Sequence, residues 1–301
     1  MSIFSFYGDF LFNCRLKNFR KVEKPKTNTF KPVSIREVFA EKSPKLAKLM
    51  PGFVYSYLTR ILHIEFLNDF LERTGHLKGI AFVDEAVKEF NVKEHIHGVE
   101  NIPSSGRFIF ASNHPLGGFD GMLLMKNVNK ALGDLKFLTN DILMNIPNLN
   151  PMFVPVNKHG GHSRDAARAM DETYRSDKQI LIFPSGLASR KIKGKIIDLD
   201  WKKHFISKAI QYKRDVIPVF ISGRNTNRFY RLAKLRKFFR IKWNLEMFFL
   251  PDETIKHRNT DVHIYFGQPV PYTLFNKTKT HKEWADYVKE LVYKLPLQYS
   301  N

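Results

Sequence analysis

From residue 95 onward the chain repeats one texture: a short apolar run, a polar glycine-bearing loop, then a longer stretch with apolar residues at helical spacing. The runs are RFIFAS (107–112), LKFLT (135–139), MFVPV (152–156), QILIFPSG (179–186), DVIPVFISG (215–223) and VHIYFGQPV (262–270). Helical patterns lie between and after them at Gly121–Leu132, Ser163–Arg175, Trp201–Tyr212 and His281–Leu295. Strands that alternate with helices argue for an α/β fold, a largely parallel sheet flanked by helices on both faces. Ahead of this lies a different region. Ile35 to Gly75 has a helical pattern broken at Pro51-Gly52, and a further helix is expected over Ile80–Phe90. The polar, proline-bearing stretch Lys21–Pro32 reads as a linker. The expected organisation is an N-terminal helical region over residues 1–92 and one α/β domain over residues 93–301.

In open parallel sheets, sites gather at the carboxyl ends of strands. Here those ends are SNHPLGGFDG, NKHGGHSR, PSGLASRK and ISGRNTNR, all rich in Gly, Ser, Asn, His or Arg. The sharpest chemistry among them is His114 with Asp120. A histidine titrates near neutrality and can take a proton from a hydroxyl, and a carboxylate on its other nitrogen would fix its tautomer. Gly117 and Gly118 would let the backbone turn tightly between the two. The same residues would also serve as a turn cap and a helix N-cap, and spacing alone leaves both readings open. A covalent route finds no nucleophile. Cys14 stands in the N-terminal tail without a neighbouring base, and Ser185 and Ser189 lack the G-x-S-x-G elbow. His95 and His97 share a strand face but have no third ligand at diagnostic spacing, so they read as ordinary strand residues.

The stretch ENIPSSGRFIFASNHPLGGFDG (100–121) resembles the first signature block of the glycerolipid acyltransferases, the family of the lysophosphatidic-acid acyltransferases. PMFVPVNKHGGHSR, LIFPSGLASRK and VIPVFISG resemble the second, third and fourth blocks in the same order. The NHPLGGFDG wording is similar to a bacterial subgroup whose members are named either acyltransferases or hemolysins. The resemblance implies a glycerol-3-phosphate acyltransferase-like fold, with His114 as general base and Asp120 as its orienting partner. It also implies direct acyl transfer from acyl-CoA or acyl carrier protein, with no metal or redox cofactor, to the hydroxyl of a lyso-lipid such as lysophosphatidic acid. Asn113, Gly117, Gly118, Lys158, Arg164, Ser185, Gly186, Arg190, Lys191 and Lys193 are the expected substrate-binding residues, the cations holding phosphates of donor or acceptor.

Three departures bear on that expectation. His114 and Asp120 are separated by five residues where the family has four. Asn157 and Lys158 stand where an Asp-Arg pair often occurs. Ser185 and Ala188 occupy the positions of the Glu and Arg of the third block, and in the family that Arg helps bind the acceptor's phosphate. The missing arginine makes a phosphate-free acceptor, such as a lyso-aminolipid of the ornithine or glycine type, the alternative.

Charge supplies the second theme. Lys and Arg number 49 against 29 Asp and Glu, a formal charge of +20, which favours anionic partners. RFYRLAKLRKFFRIKW (228–243) concentrates it. Phe229, Leu232, Leu235 and Phe239 recur at helical spacing among Arg228, Arg231, Lys234, Lys237 and Arg240, with no acidic residue between. This reads as a helix lying on an anionic bilayer, with a solvated basic face as the plain alternative. Nucleic acid ranks last, because no nucleic-acid-binding module is recognisable. The aromatic and basic start, with Phe4, Phe6, Tyr7, Phe10, Leu11 and Phe12 before Arg15, Lys17, Arg20 and Lys21, reads equally as a packed terminus or an interfacial anchor. With one cysteine and no long uncharged apolar run, the expected location is peripheral, at the cytoplasmic face of a bacterial inner membrane. A membrane-binding, hemolysin-like protein without turnover is the rival from another class.

Overall fold

The computed structural model describes residues 32–42, 44–139, 146–156, 163–240 and 245–299. The aromatic N-terminal stretch considered above, and Lys158, lie outside the described residues. Five helices come first: α1 (Ile35–Lys42), α2 (Pro44–Leu49), α3 (Gly52–Ile61), α4 (Ile64–Thr74) and α5 (Ile80–Glu89). The break expected at Pro51-Gly52 falls between α2 and α3, with extended Pro51 as the N-cap of α3.

A sheet of seven strands follows. It consists of β1 (Lys93–His97), β2 (Phe108–Ser112), β3 (Leu135–Thr139), β4 (Phe153–Pro155), β5 (Gln179–Ile182), β8 (Asp215–Ile221) and β9 (Asp261–Phe266), in the spatial order β1-β9-β8-β2-β5-β3-β4. Pairing is parallel throughout except between β8 and β9, where Val219 faces Phe266 and Ile221 faces Ile264. The sheet's helices are α6 (Gly118–Leu132), α7 (Ser163–Arg175), α8 (His204–Tyr212), α9 (Asn227–Phe238), the short α10 (Leu250–Ile255) and the long α11 (His281–Gln298). The last is opened by a capping box in which Thr280 and Glu283 satisfy each other's backbone N–H groups.

Central strands are buried on both faces, which is why they read as unbroken apolar runs rather than alternations. In β2, Phe108 and Phe110 join a core with α5 and α6, while Ile109 and Ala111 point into the opposite core with α8 and α11. Helix α5 belongs to the first of these cores through Phe82, Val83, Ala86 and Val87, so the sheet's own packing begins before residue 93. Helices α1, α3 and α4 form a smaller cluster around Ile35, Val38, Tyr55 and Ile64, against which Phe249 packs.

A small antiparallel hairpin, β6 (Arg190–Ile192) and β7 (Lys195–Ile197), was not expected. Its two-residue turn is Lys193-Gly194, with φ of +48° and +84°, the left-handed pair that a tight hairpin needs.

Candidate active site

Strand β2 ends at Ser112, and the chain turns through Asn113-His114-Pro115-Leu116-Gly117 into α6. Asn113 fixes where the turn starts. Its amide donates to Ile221 O at 2.9 Å and its Oδ1 accepts from Ile221 N–H at 2.7 Å. This side chain is buried and spent on the neighbouring strand β8, so it is a brace and not a group presented to substrate. Gly117 is the N-cap of α6 with φ +80° and ψ −127°, and a Cβ there would stand 2.9 Å from Leu250 Cδ2. Only glycine fits that combination. Gly118, at the first position of the helix, is exposed with open space around its Cα.

The turn brings the two candidate catalytic groups together. His114 Nδ1 lies 3.0 Å from both Oδ1 and Oδ2 of Asp120. Asp120 is fully buried in the first turn of α6 and also accepts Leu116 N–H at 2.9 Å. It therefore does not occupy the N-cap; it reaches back from inside the helix. The carboxylate demands a proton on Nδ1, which leaves Nε2 with its lone pair free, and no described residue hydrogen-bonds Nε2. One face of the imidazole is stacked on Phe183, ring centroids 4.0 Å apart and 18° between planes. The His114 side chain keeps 17% exposure, enough for a substrate hydroxyl to reach its edge.

Phe183 opens the third block, at the carboxyl end of β5 beside β2. The loop after it departs from the phosphate-binding expectation. Ser185 is buried and its Oγ donates to Leu187 O at 2.9 Å. Ala188 is fully buried against Phe229 and Tyr230, so no cation can issue from that position. Arg190 is a correction. Its guanidinium is buried, donates to Glu246 Oε1 at 2.9 Å and to Ala188 O at 2.5 Å, and lies over the Phe229 ring. Glu246 also faces Arg236 at 3.0 Å, so the fork of Arg190 is committed to an internal charge cluster. Burial pulls the Arg190 pKa below its ordinary value, against the opposing pull of Glu246.

Cations available near this loop include Lys191 and Lys193, exposed on the β6–β7 hairpin, and Lys202. Sequence reasoning passed over Lys202, although its Nζ lies within 3.3 Å of where a Cβ on Gly186 would sit. Its backbone N–H donates to Pro184 O at 3.0 Å. Arg164 lies in the first turn of α7, and its side chain is outside the described residues.

The basic helix forms as expected, capped by Thr226, but its inner face is not a lipid face. Phe229 is 0% exposed and Leu232 is partly buried, so the first half of the apolar stripe is turned to the protein, while Leu235 and Phe239 stay exposed. Helical spacing marks one face, and here the protein itself covers the first half of it. The exposed set is Arg228, Arg231, Lys234, Leu235, Lys237, Phe238, Phe239 and Arg240, with Phe238 at 77% and Phe239 at 64% exposure. Arg228 is partly drawn off by an ion pair with Asp252.

His95 and His97 stack with His263 and Tyr265 along the β1–β9 edge, His97 Nε2 lying 3.1 Å from His263 Nδ1. Among the described residues, no group of three or more His, Cys, Asp or Glu is placed to hold a metal ion. No described helix is long and apolar enough to cross a membrane.

A free imidazole nitrogen, backed by a buried carboxylate at the carboxyl end of a parallel strand, is the geometry a general base for a proton-bearing acceptor requires. The acyltransferase family model matches residues 37–299, and the chain belongs to that family and is an acyltransferase. The chain is 42% identical over 264 residues to a lyso-glycine lipid O-acyltransferase of Bacteroides thetaiotaomicron, covering 87% of this chain and 97% of that protein. A lyso-glycine lipid O-acyltransferase of Phocaeicola vulgatus is 41% identical, over 87% of this chain and 95% of that protein. The crystal structure of a 1-acyl-sn-glycerophosphate acyltransferase from Thermotoga maritima is a distant likeness. It shares 18% identity at a TM-score of 0.45, over 84% of this chain and 100% of that chain.

Proposed function

We propose that this protein transfers a fatty acyl group to the free hydroxyl of a lyso-glycine lipid at a membrane surface. The observation that carries the reaction is the hold of Asp120 on Nδ1 of His114, which leaves Nε2 open as the base. The acceptor hydroxyl would donate to Nε2. As its oxygen attacks the thioester carbonyl of acyl-CoA or acyl carrier protein, the proton passes to Nε2. The carbonyl oxygen becomes an oxyanion, stabilised by backbone N–H groups of the glycine-bearing loops. Collapse forms the ester and expels the thiolate, to which the imidazolium returns the proton.

The two relatives' names support the glycine head group at an identity that spans most of this chain. The third block supports a phosphate-free acceptor. With Ala188 in the core and Arg190 tied to Glu246, no arginine of that loop offers its planar fork to a phosphomonoester. The exposed aromatic and basic end of α9 supports peripheral attachment to anionic lipid. The donor, either thioester, needs only the chemistry described, and no metal or redox cofactor enters any step.

The test is acyl transfer from labelled acyl-CoA and acyl carrier protein, offering lyso-glycine lipid and lysophosphatidic acid side by side. Lyso-glycine lipid is expected to be the better acceptor, and His114→Ala is expected to lose at least ~100-fold in rate. A preference of about 100-fold for lysophosphatidic acid, ~2.7 kcal/mol in the transition state, would overturn the acceptor. Unchanged turnover of a folded His114→Ala would overturn the base.

A further inference from the structure

The loop between β7 and α8 holds a buried carboxylate that the reaction above does not use. Asp198 is 2% exposed. Its Oδ1 accepts the backbone N–H of His114 at 3.2 Å and the Ser189 hydroxyl at 2.5 Å, and its Oδ2 accepts the Trp201 indole N–H at 2.9 Å. The circle closes through Ser189, whose own N–H donates to His114 O at 2.7 Å. Both backbone polar groups of His114 are therefore held by one pair of residues, one of them in the third block and the other nine positions beyond it. Asp198 is itself anchored from the far side by α11. Its N–H donates to the Tyr293 hydroxyl at 2.7 Å, and Lys289 Nζ donates to Asp198 O at 2.9 Å and Leu199 O at 3.0 Å.

Taking a carboxylate out of water costs several kcal/mol unless hydrogen bonds repay it, and an apolar side chain would fill the same space at less cost. A single carboxylate, however, joins three donors from separate segments. We propose that Asp198 is a positioning residue for the reaction: it fixes the backbone of His114 against the third block, so that Nε2 stands where the acceptor hydroxyl arrives. The imidazole is then located at three points. Asp120 sets the ring nitrogen, Phe183 sets the ring plane, and Asp198 with Ser189 sets the Cα from which the ring hangs. This rests on His114 as the base, and it adds a residue that does not touch substrate.

The conservative change Asp198→Asn tests it. An amide keeps one acceptor and makes the other a donor. If its oxygen stays with His114 and Ser189, its NH2 confronts the Trp201 N–H, and one donor is left without an acceptor. Misplacement by about 1 Å costs on the order of 100-fold in rate, so a partial slip in Asp198→Asn is expected to cost kcat at least ~10-fold. KM should stay within about threefold, because substrate contacts are untouched.

Two further results mark positioning rather than bulk stability. Asp198→Asn with Trp201→Phe removes the clashing donor and should recover most of kcat. In a His114→Ala background, Asp198→Asn should cost no further rate, while lowering the unfolding temperature as it does in the parent enzyme. If Asp198→Asn does not fold, Ser189→Ala reads the same clamp: it removes the hydroxyl that ties Asp198 Oδ1 to the third block and leaves the carboxylate and both backbone bonds to His114 in place, and a kcat loss at constant KM supports the proposal. Wild-type kcat in folded Asp198→Asn or Ser189→Ala overturns it, as does an equal rate loss with and without the imidazole. Full activity of His114→Ala would instead sink the base assignment and this inference with it.

Discussion

Replacing Asp120 by Asn separates catalysis from folding at this site. The side chain is isosteric, and a neutral amide is easier to bury than the carboxylate it replaces. Leu116 N–H needs an acceptor at 2.9 Å, so the amide oxygen stays on that side and the NH2 group takes the place of Oδ1, 3.0 Å from His114 Nδ1. Nδ1 lies 3.0 Å from both positions, so one of its two acceptors has become a donor; the tautomer in which Nδ1 accepts from that NH2, with the ring proton on Nε2, is now populated. In that tautomer the imidazole is in place but carries a proton where the substrate's proton should go. Loss of the correct tautomer in a His–carboxylate pair costs about 10³–10⁴-fold, or roughly 4–5.5 kcal/mol in the transition state. The unfolding temperature should move by only a few degrees, about what ~1 kcal/mol produces. Steady-state acyl transfer gives kcat, and nitrogen NMR of histidine-labelled protein reads the tautomer directly. Turnover within about tenfold of wild type while the ring carries its proton on Nε2 would refute the reasoning, since a base cannot work from a protonated nitrogen.

Other perturbations address the frame and the surface. Gly117→Ala forces a side chain into a φ of +80° and against Leu250, and should cost about 1–3 kcal/mol in urea unfolding; an unmoved midpoint would show that the turn can relax. Changing Arg231, Lys234, Lys237 and Arg240 to Gln removes exposed cations worth ~1 kcal/mol each near an anionic surface. Sedimentation with anionic vesicles should fall and lose its salt dependence, and equal sedimentation at all salt concentrations would dismiss the lipid role of α9. His257 is partly buried, and desolvation holds its pKa below the ordinary 6.5 despite the opposing pull of Asp120 and Glu253. The unfolded chain then binds more protons than the folded one below that value, so stability should be full above about pH 6.5 and decline from there toward the folded pKa. His257→Gln should flatten part of that decline, and an unchanged pH profile of the unfolding temperature would exclude this group as its source.

Much of the frame was legible because burial on both faces of β2, β5 and β8 leaves no choice but continuous apolar sequence. His114 and Asp120 were legible because the chemistry and the turn share one short stretch. What the sequence hid lies across long separations. The antiparallel entry of β9 between β1 and β8 is a matter of long-range pairing, and nothing local distinguishes it from another parallel strand. Arg190 looked like a free cation until Glu246, 56 residues on, came to meet it. Phe229 obeyed helical spacing faithfully, but periodicity names a face without naming what covers it. The β6–β7 hairpin left one faint signal, Lys193-Gly194 between short runs, too brief to outweigh its exposed and charged strands. Asp198 left none, since an aspartate in DLDW looks like any loop carboxylate.

With His114 as the proposed base, its stack on Phe183 would give the enzyme a ruler as well. A ring held at its edge by Asp120 and along its plane by a phenyl group cannot swing to follow a hydroxyl that arrives too high or too low. Lipids differ along their length by single methylenes, and such neighbours bind a greasy surface almost equally well. Only the one whose oxygen stops level with Nε2 reacts, because a shortfall of about 1 Å forfeits on the order of 100-fold. Selection among acceptors then falls on turnover and leaves affinity nearly blind, so close homologues of the true lyso-lipid should behave as inhibitors.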